Sequence, residues 1–389
     1  MISDPFVVLA LLAALVAGVL ELERTAAFAP LFRRLPAVFW IYLLPMLATS
    51  AGLMPAASPL YPALTRYLLP ASLALILLSS DLRAIARLGP RALGAMAAAS
   101  AGVALGAVVA LLVFGAALGP EAWKGLAALT GTWVGGSANL LAVSGALGLS
   151  PEALGIAILV DTLVGYSWMG VLVALSSRQP RFDRWLGAER GELTAIGRRL
   201  ASRLERDRQP TSTRDAALLV GLALGAAALA LGVGSRLPPL VEVLTPAAWS
   251  ILLLTTIGLA LSLTPLARLD GAGASSLGYA GFYLLLAAVG AQADIAKIVA
   301  RPLWVAAGVT VIAVHALCLA AAIRLMRAPS FFFGAASQAA IGGYVSAPLV
   351  AEIWQGGLAP VGLLLAVVGN IAGTYVGLAV GQLLAALAH

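Results

Sequence analysis

The sequence contains little charge, one cysteine and two histidines. Charged residues make up 11% of its 389 residues, whereas an ordinary soluble domain has about 25%. Cys318 lies in an apolar stretch, which excludes a disulfide framework and a multi-cysteine metal site. Two histidines cannot supply the clustered ligands of a metalloprotease, and no P-loop or other cofactor fingerprint occurs. We therefore expect that the protein is not an enzyme and carries no cofactor.

Hydrophobic residues are abundant instead, at 61% of the chain. A helix needs about 20 apolar residues to cross the roughly 30 Å core of a bilayer. Such stretches recur and predict an all-α polytopic protein of the inner (cytoplasmic) membrane. No basic region precedes the first stretch, so it is predicted to be a membrane helix and not a signal peptide. The apolar segments lie at 5–22, 36–53, 66–80, 92–117, 122–146, 151–176, 215–235, 246–265, 276–292, 302–325, 330–352 and 358–387.

The interruption at 177–214 holds ten arginines against five acidic residues. Basic residues concentrate in the cytoplasmic loops of membrane proteins. This excess, and the net charge of +7, therefore predict a cytoplasmic loop and no nucleic-acid partner. Within it, 190–206 is either solvated or an amphipathic helix on the inner leaflet. The loop separates a first membrane repeat at 1–176 from a second one at 215–389.

The second half resembles the first. In the central match, "WVGGSANLLAV" corresponds to "AIGGYVSAPLV", glycine pair on glycine pair. The last match has only four identities in sixteen, but it places Asp161 on Asn370 without a gap. The common order of the matches predicts an internal duplication. Three stretches correspond in order: 79–90 with 291–302, 133–143 with 340–350, and 151–166 with 360–375.

The charge distribution predicts how the two halves are oriented. The basic loops 23–35, 81–91 and 177–214 share the cytoplasmic side only if segment 122–146 enters and leaves on one face. Each half then has about five crossings and one re-entrant hairpin or broken helix. Because five is odd, the second half is inverted, as in many secondary transporters. The N-terminus is predicted to be outside, with 19 of the 24 Lys and Arg residues inside.

The segments 122–146 and 330–352 carry paired glycines with polar neighbours. Irregular backbone within a membrane is tolerated only where protein or a water-filled cavity satisfies its polar groups. Helix ends there offer N–H groups to anions and carbonyl groups to cations. We therefore predict two hairpin tips, the alternative being glycine contacts between fully crossing helices. The candidate substrate-binding residues are Gly135, Gly136, Ser137, Asn139, Gln338, Gly342, Gly343 and Ser346.

Asp161 lies ten residues into an apolar helix, where an isolated carboxylate costs at least about 2.5 kcal/mol. It is either a Na⁺ ligand, a proton carrier, or a structural acid bonded to a neighbouring helix. Its repeat counterpart Asn370 is neutral, which favours a single principal cation site. His315, also within an apolar segment, is either a satisfied core histidine or a proton relay. The candidate residues for the coupling cation are Asp161, Asn139, Asn370 and Thr132.

Several motifs resemble the YjcL-like family of uncharacterised bacterial membrane proteins, from about residue 66 onward. They are "GTWVGGSAN…AVSG", "VDTLVGYSWMG", "GAQADIAKI" and "SQAAIGGYVSAP…LAPVGLLLAV". The resemblance implies the cation:proton antiporter/anion transporter superfamily, with glutamate:sodium symporters and 2-hydroxycarboxylate transporters as architectural parallels. It also implies inverted five-helix domains with Gly135, Gly136, Gly342 and Gly343 at re-entrant tips.

Together these features predict a cation-coupled secondary transporter that moves a small organic anion by alternating access. Na⁺ or H⁺ is the expected coupling ion, the bilayer and the anion are the expected partners, and a homodimer is left open. A monovalent cation/proton antiporter that exchanges through Asp161 ranks lower, because such sites often use two intramembrane acids. A channel, an inert scaffold and an intramembrane enzyme are the remaining alternatives. An intramembrane aspartyl enzyme would need a second mid-helix aspartate, and a serine nucleophile such as Ser137 would need a nearby histidine base in a recognisable motif. The sequence shows neither.

Overall fold

The structure is a computed structural model that describes residues 4–34, 37–80, 85, 88–186, 211–240, 244–292, 302–356 and 358–388. These residues are almost wholly helical and contain no β-strand. The segment 190–206 lies outside the described residues, as do parts of the matched stretches 79–90 and 291–302.

Two successive sets of helices make up the chain. The first set is α1 (Pro5–Arg24), α2 (Ala29–Arg34), α3 (Ala37–Ser50), α4 (Leu60–Leu78, with a π-helical turn at Leu64–Leu68), α5 (Pro90–Leu118), α6 (Ala122–Gly135), α7 (Ser137–Leu147) and α8 (Pro151–Ser176). A short helix α9 (Gln179–Leu186) follows. The second set is α10 (Thr213–Gly234), α11 (Pro246–Ser262), α12 (Ala274–Gly290), α13 (Leu303–Leu325), α14 (Phe331–Ile341), α15 (Gly343–Trp354) and α16 (Ala359–Ala388).

Seven helices within the described ranges are long and apolar enough to cross a membrane: α1, α4, α5, α8, α10, α13 and α16. Residues in or next to the first turn determine where several helices begin. Pro90, Pro151 and Pro246 stand in the first turn, where a missing N–H costs little. Ser150 caps α8 by accepting a hydrogen bond from the Ala153 N–H at 3.3 Å. The prediction of an all-helical, multi-pass membrane protein is therefore supported by length and composition.

Glycines set the closest helix contacts. A Cβ atom at Gly102 of α5 would lie 2.8 Å from the His315 Cα, and one at Gly106 would lie 2.7 Å from the Val311 Cα. Residue numbers rise from 102 to 106 along α5, while those of the contacted residues fall from 315 to 311 along α13. These two helices are therefore antiparallel. Small residues at such a crossing let the two backbones approach closely, as is common between membrane helices.

The same antiparallel arrangement relates α4 and α12. A Cβ atom at Gly278 would lie 2.9 Å from Ile76 Cγ1, whereas one at Gly281 would lie 3.1 Å from Leu68 Cδ1. The long helices α5 and α13, and the pair α4 and α12, therefore each cross as antiparallel partners.

The helices α6 and α7 fold back on each other, and so do α14 and α15. A Cβ atom at Gly131 would lie 2.9 Å from Val143 Cγ2, twelve residues later. A Cβ atom at Gly334 would overlap the indole ring of Trp354, twenty residues later. In continuous helices these pairs would be about 18 Å and 30 Å apart. We call α6–α7 the first hairpin and α14–α15 the second hairpin.

Candidate functional site

The bases of the two hairpins lie at opposite ends of α8. Glu121 precedes the first hairpin, and its carboxylate accepts a hydrogen bond from the Ser150 hydroxyl, just before α8, at 2.5 Å. Near the far end of α8, the Leu172 carbonyl accepts a hydrogen bond from the Trp354 indole at 3.1 Å. Trp354, at the end of the second hairpin, packs on Gly334, near its beginning. Both ends of the second hairpin therefore lie near Leu172 of α8. The 26 residues of α8 span about 39 Å, and Ser150 and Leu172 lie about 33 Å apart along its axis.

The tips of the hairpins touch. Gly136 joins α6 to α7 with a φ of 87°, and Gly343 begins α15 with a φ of 63°. L side chains rarely adopt this left-handed region, which glycine occupies freely. A Cβ atom at Gly136 would lie 3.9 Å from the Gly343 Cα, and the reverse distance is 3.6 Å. The backbones of the two tips therefore meet directly.

Asp161 of α8 lies beside these tips. The Trp133 indole N–H donates a hydrogen bond to Asp161 Oδ1 at 2.7 Å. The Thr132 hydroxyl is 3.5 Å from Oδ2, which makes a much weaker contact. Both donors belong to the last turn of α6. The first hairpin thus orients the carboxylate while one of its oxygens remains weakly bonded.

A small cavity separates the tips from α8. Its volume of about 50 Å³ has room for about three to five water molecules at roughly 10–15 Å³ each. Asp161 is the one charged side chain among the described lining residues, and none of them is basic. No cluster of three or more His, Cys, Asp or Glu residues that could hold a metal occurs in the described ranges. The lining residues are Gly136, Ser137, Asp161, Thr162, Gly165, Tyr166, Gln338, Ile341 and Gly342.

Gln338 contributes a buried amide to the wall of the cavity. Its side chain is 1% exposed, and its Nε2 donates a hydrogen bond to the Ser346 hydroxyl at 2.7 Å. Its Oε1 is buried and has no hydrogen-bond partner among the described residues. The Gln338–Ser346 bond passes over Gly342, where a Cβ atom would overlap both groups. A larger residue at this position would therefore displace the amide.

Asn139 and Asn370 contact each other away from Asp161. Asn139 Nδ2 donates to the Gly135 carbonyl at 2.8 Å and lies 3.2 Å from Asn370 Oδ1. Its Oδ1 accepts a hydrogen bond from the Thr374 hydroxyl at 2.6 Å. A Cβ atom at Gly135 would lie 2.5 Å from the Gly369 carbonyl oxygen. These residues fasten the first hairpin to α16, and the described cavity lining does not include them.

His315 is fully buried, and both ring nitrogens have partners. Nδ1 lies 2.9 Å from the Ala99 carbonyl, which only accepts, so Nδ1 carries the hydrogen. Nε2 then accepts from the Ser337 hydroxyl at 2.8 Å, and this oxygen accepts from the Trp168 indole. The arrangement is that of a satisfied core histidine that ties the second hairpin to α8 and α13.

The predicted site residues therefore divide into three groups. On the cavity lie Gly136, Ser137, Asp161, Gln338 and Gly342. In contact with these residues lie Thr132, Gly343 and Ser346. At the contact between the first hairpin and α16 lie Gly135, Asn139 and Asn370.

Sequence reasoning did not single out several residues of the site. Trp133 holds the carboxylate, and Thr162, Gly165, Tyr166 and Ile341 line the cavity. A usable signal existed for Gly165, because it follows Asp161 by four residues and so shares its helix face. The sequence carries no comparable signal for Ile341, whose position depends on how the second hairpin packs.

Seven helices of the described ranges are long and apolar enough to cross a membrane, which is typical of a multi-pass α-helical membrane protein, and one carboxylate lies on the cavity. The chain matches the model of the family described as protein of unknown function (DUF819) over residues 10–387, and it belongs to that family. This match confirms the expectation of an uncharacterised family. No curated protein matches the sequence.

Proposed function

We propose that the protein is a cation-coupled secondary transporter of a small organic anion that works by alternating access in the inner membrane. One observation carries the proposal. Two glycine-tipped hairpins, based at opposite ends of a membrane-length helix, meet at a cavity beside the carboxylate of Asp161. Irregular backbone at membrane depth is tolerated where it lines such a cavity.

The proposal includes an inverted repeat with re-entrant hairpins. In the repeat alignment α5 corresponds to α13, and α4 to α12, and both pairs are antiparallel in the structure. Counterparts in a parallel repeat would run in the same direction, so this geometry supports inversion. The Glu121–Ser150 bond supports an entry and an exit of the first hairpin on one face. Both features belong to the transporter superfamily that the sequence resembles.

Each part of the site has a proposed role. The first turns of α7 and α15 begin at Gly136 and Gly342, which provide no side-chain cap within the described structure. Their N–H groups would bind the substrate anion. Asp161, about 15 Å along α8 from its start, would bind the coupling Na⁺ or carry the proton. The hairpins would close the cavity from opposite faces and move against a scaffold of α1, α3, α10 and α11.

The test is uptake into proteoliposomes from a panel of radiolabelled organic anions, with a Na⁺ gradient, a pH gradient or neither. We expect uptake of at least one anion to depend on one gradient and to fall at least a hundredfold in Asp161→Asn. The exposed Asp270→Asn on the turn after α11 is the matched control and should behave as wild type. Uptake that ignores both gradients for every anion would contradict the proposal.

A monovalent cation/proton antiporter is the second candidate, and the cavity lining favours it. A cavity of about 50 Å³, with a carboxylate and no basic residue among its described lining, suits a bare cation. The discriminating measurement is the decay of an imposed pH gradient when Na⁺ or K⁺ is added without organic substrate. Decay that Asp161→Asn abolishes would place this function first.

A further inference from the structure

We propose that the transported carboxylate compound also carries an ammonium group, so that it is a zwitterion without net charge: a small amino acid whose ammonium group binds the amide oxygen of Gln338. Its carboxylate would bind the N–H groups of the two hairpin tips. This inference rests on the proposed function and narrows its substrate class. It excludes dicarboxylates and simple carboxylates as the preferred substrates.

The charge of the cavity favours a substrate without net charge. Asp161 is its one charged side chain among the described lining residues, and a coupling cation there brings the charge to zero. A ligand with a net negative charge would then find no basic side chain on the described lining. Burying a charge without a partner is costly. A substrate that carries both charges is neutral as a whole and avoids this cost.

The pair of open helix starts favours a substrate with a single carboxylate group. The first turns of α7 and α15 begin at glycines that cannot cap them with a side chain. Gly136 and Gly343 bring the two starts into contact, with the 3.6 Å and 3.9 Å approaches described above. Helix starts carry partial positive charge and point N–H groups outward. They suit one carboxylate group, but they supply no full positive charge for a second one.

Gln338 supports an ammonium group on the substrate, independently of the helix ends. The amide is almost completely buried, yet its Oε1 has no partner among the described residues. The hydrogen bond from Nε2 to Ser346 fixes the plane of the amide, and the buried oxygen keeps its capacity to accept a hydrogen bond unused among the described residues. An acceptor of this kind needs a donor, and an ammonium group is a strong one. Gln338 and Gly342 line the same cavity, so the acceptor and an open helix start lie together.

The experiment compares substrates that differ in one group. Wild-type protein in proteoliposomes is given matched pairs such as L-alanine and L-lactate over several side chains, with ethylamine as the compound that lacks a carboxylate. We expect the best amino acid to exceed its hydroxy acid, and ethylamine, at least tenfold in gradient-driven uptake. This comparison needs no variant and therefore does not depend on how a variant folds.

Gln338→Met then tests the assignment of the acceptor. Methionine has a similar shape but no amide oxygen, so the preference for the amino group should fall at least tenfold. Gln382→Met is the matched control, because Gln382 also has a buried amide oxygen without a partner in the described structure but lies on α16 away from the cavity. It should keep the wild-type preference.

The possible results separate the inference from the proposed function. Hydroxy acids taken up as well as amino acids, under gradient control and with loss in Asp161→Asn, would overturn the zwitterion and leave the transporter. An unchanged preference in Gln338→Met would overturn the role of Gln338. Cation–proton exchange without uptake of any organic solute would overturn both the substrate class and the transporter.

Discussion

At the scale of single residues, Asp161 depends on Trp133. The indole is completely buried, and Gly308 of α13 lies against its ring, so the N–H has a fixed direction toward the carboxylate. A hydrogen bond to a charged group contributes about 1.5–3 kcal/mol. Trp133 of the first hairpin therefore sets the position of the Asp161 carboxylate. In the proposed mechanism, this hairpin is one of the two that move.

Trp133→Phe keeps an aromatic ring and removes the donor. We expect the Na⁺ or H⁺ concentration for half-maximal uptake to shift about tenfold, because one charge-assisted hydrogen bond is lost. The measurement is the cation dependence of uptake, with thermal unfolding as a check on folding. Trp249→Phe, which loses only a bond to the Pro238 carbonyl at the protein surface, is the control. Equal shifts in both variants would argue against a specific role for Trp133.

At the scale of elements, each hairpin depends on its tip and its base. Gly136 and Gly343 have positive φ, and an alanine in the left-handed region costs about 1–2 kcal/mol. At the bases, Glu121 accepts hydrogen bonds from both the N–H and the hydroxyl of Ser150. Asp183 of α9 accepts the same two bonds from Ser330 at the start of the second hairpin. The hairpins are thus held by hydrogen bonds where they begin, and they meet at glycines whose backbone conformation would strain any other residue.

Gly136→Ala and Gly343→Ala should each lower the free energy of unfolding by about 1–2 kcal/mol and reduce uptake more than tenfold, since the tips line the site. Thermal unfolding in detergent and uptake measure the two effects. Gly18→Ala is the control, because Gly18 lies within α1 at an ordinary φ and has open space around it. That change should stabilise the helix by about 0.5–1 kcal/mol. Wild-type stability and uptake in both tip variants would show that the tips do not require glycine.

The base of the first hairpin gives a separate prediction. Glu121→Gln, Ser150→Ala and the double variant should show a coupling energy of about 0.5–3 kcal/mol, as expected for residues in direct contact. Hydrogen exchange should increase at 121–150 and stay unchanged in α13. A coupling energy near zero would mean that the bond does not hold the base closed.

At the scale of the whole molecule, the two hairpin bases lie at opposite ends of the protein along α8. The first hairpin begins at one end of α8, and the second hairpin lies against the other end. If α8 crosses the membrane, these bases face different compartments. The cavity beside Asp161 then lies between them, which is the position that alternating access requires.

Cysteine labelling tests this arrangement. In a Cys318→Ala background, K124C and E152C should react with an impermeant thiol reagent from one side of the membrane. R327C and E352C, beside the base of the second hairpin, should react from the other side. Reaction of K124C and E152C from different sides would show that segment 122–146 crosses the membrane, and the inverted arrangement would then be wrong.

Much of the fold followed from local sequence properties. Apolar runs identified six of the seven long helices of the described ranges within two residues of their ends, and they placed the start of α4 six residues late. They succeed because burial in a bilayer and caps such as Ser150 depend on nearby residues. The breaks at Gly136 and Gly342 and the isolated charge of Asp161 were also visible, since each contradicts its apolar surroundings. The sequence by itself therefore determined the class of the protein and the elements that form the site.

Only the tertiary structure decided which side chains meet. It brought the Trp133 indole to Asp161 and Gln338 to the cavity, and it turned Asn139 toward Asn370 at the contact with α16. The physical reason is long-range packing. Gly369 and Gly373 bring α16 so close to the first hairpin that the Asn139 amide is enclosed there. The rotation of a hairpin around such a contact depends on residues more than 200 positions away, which no local pattern encodes.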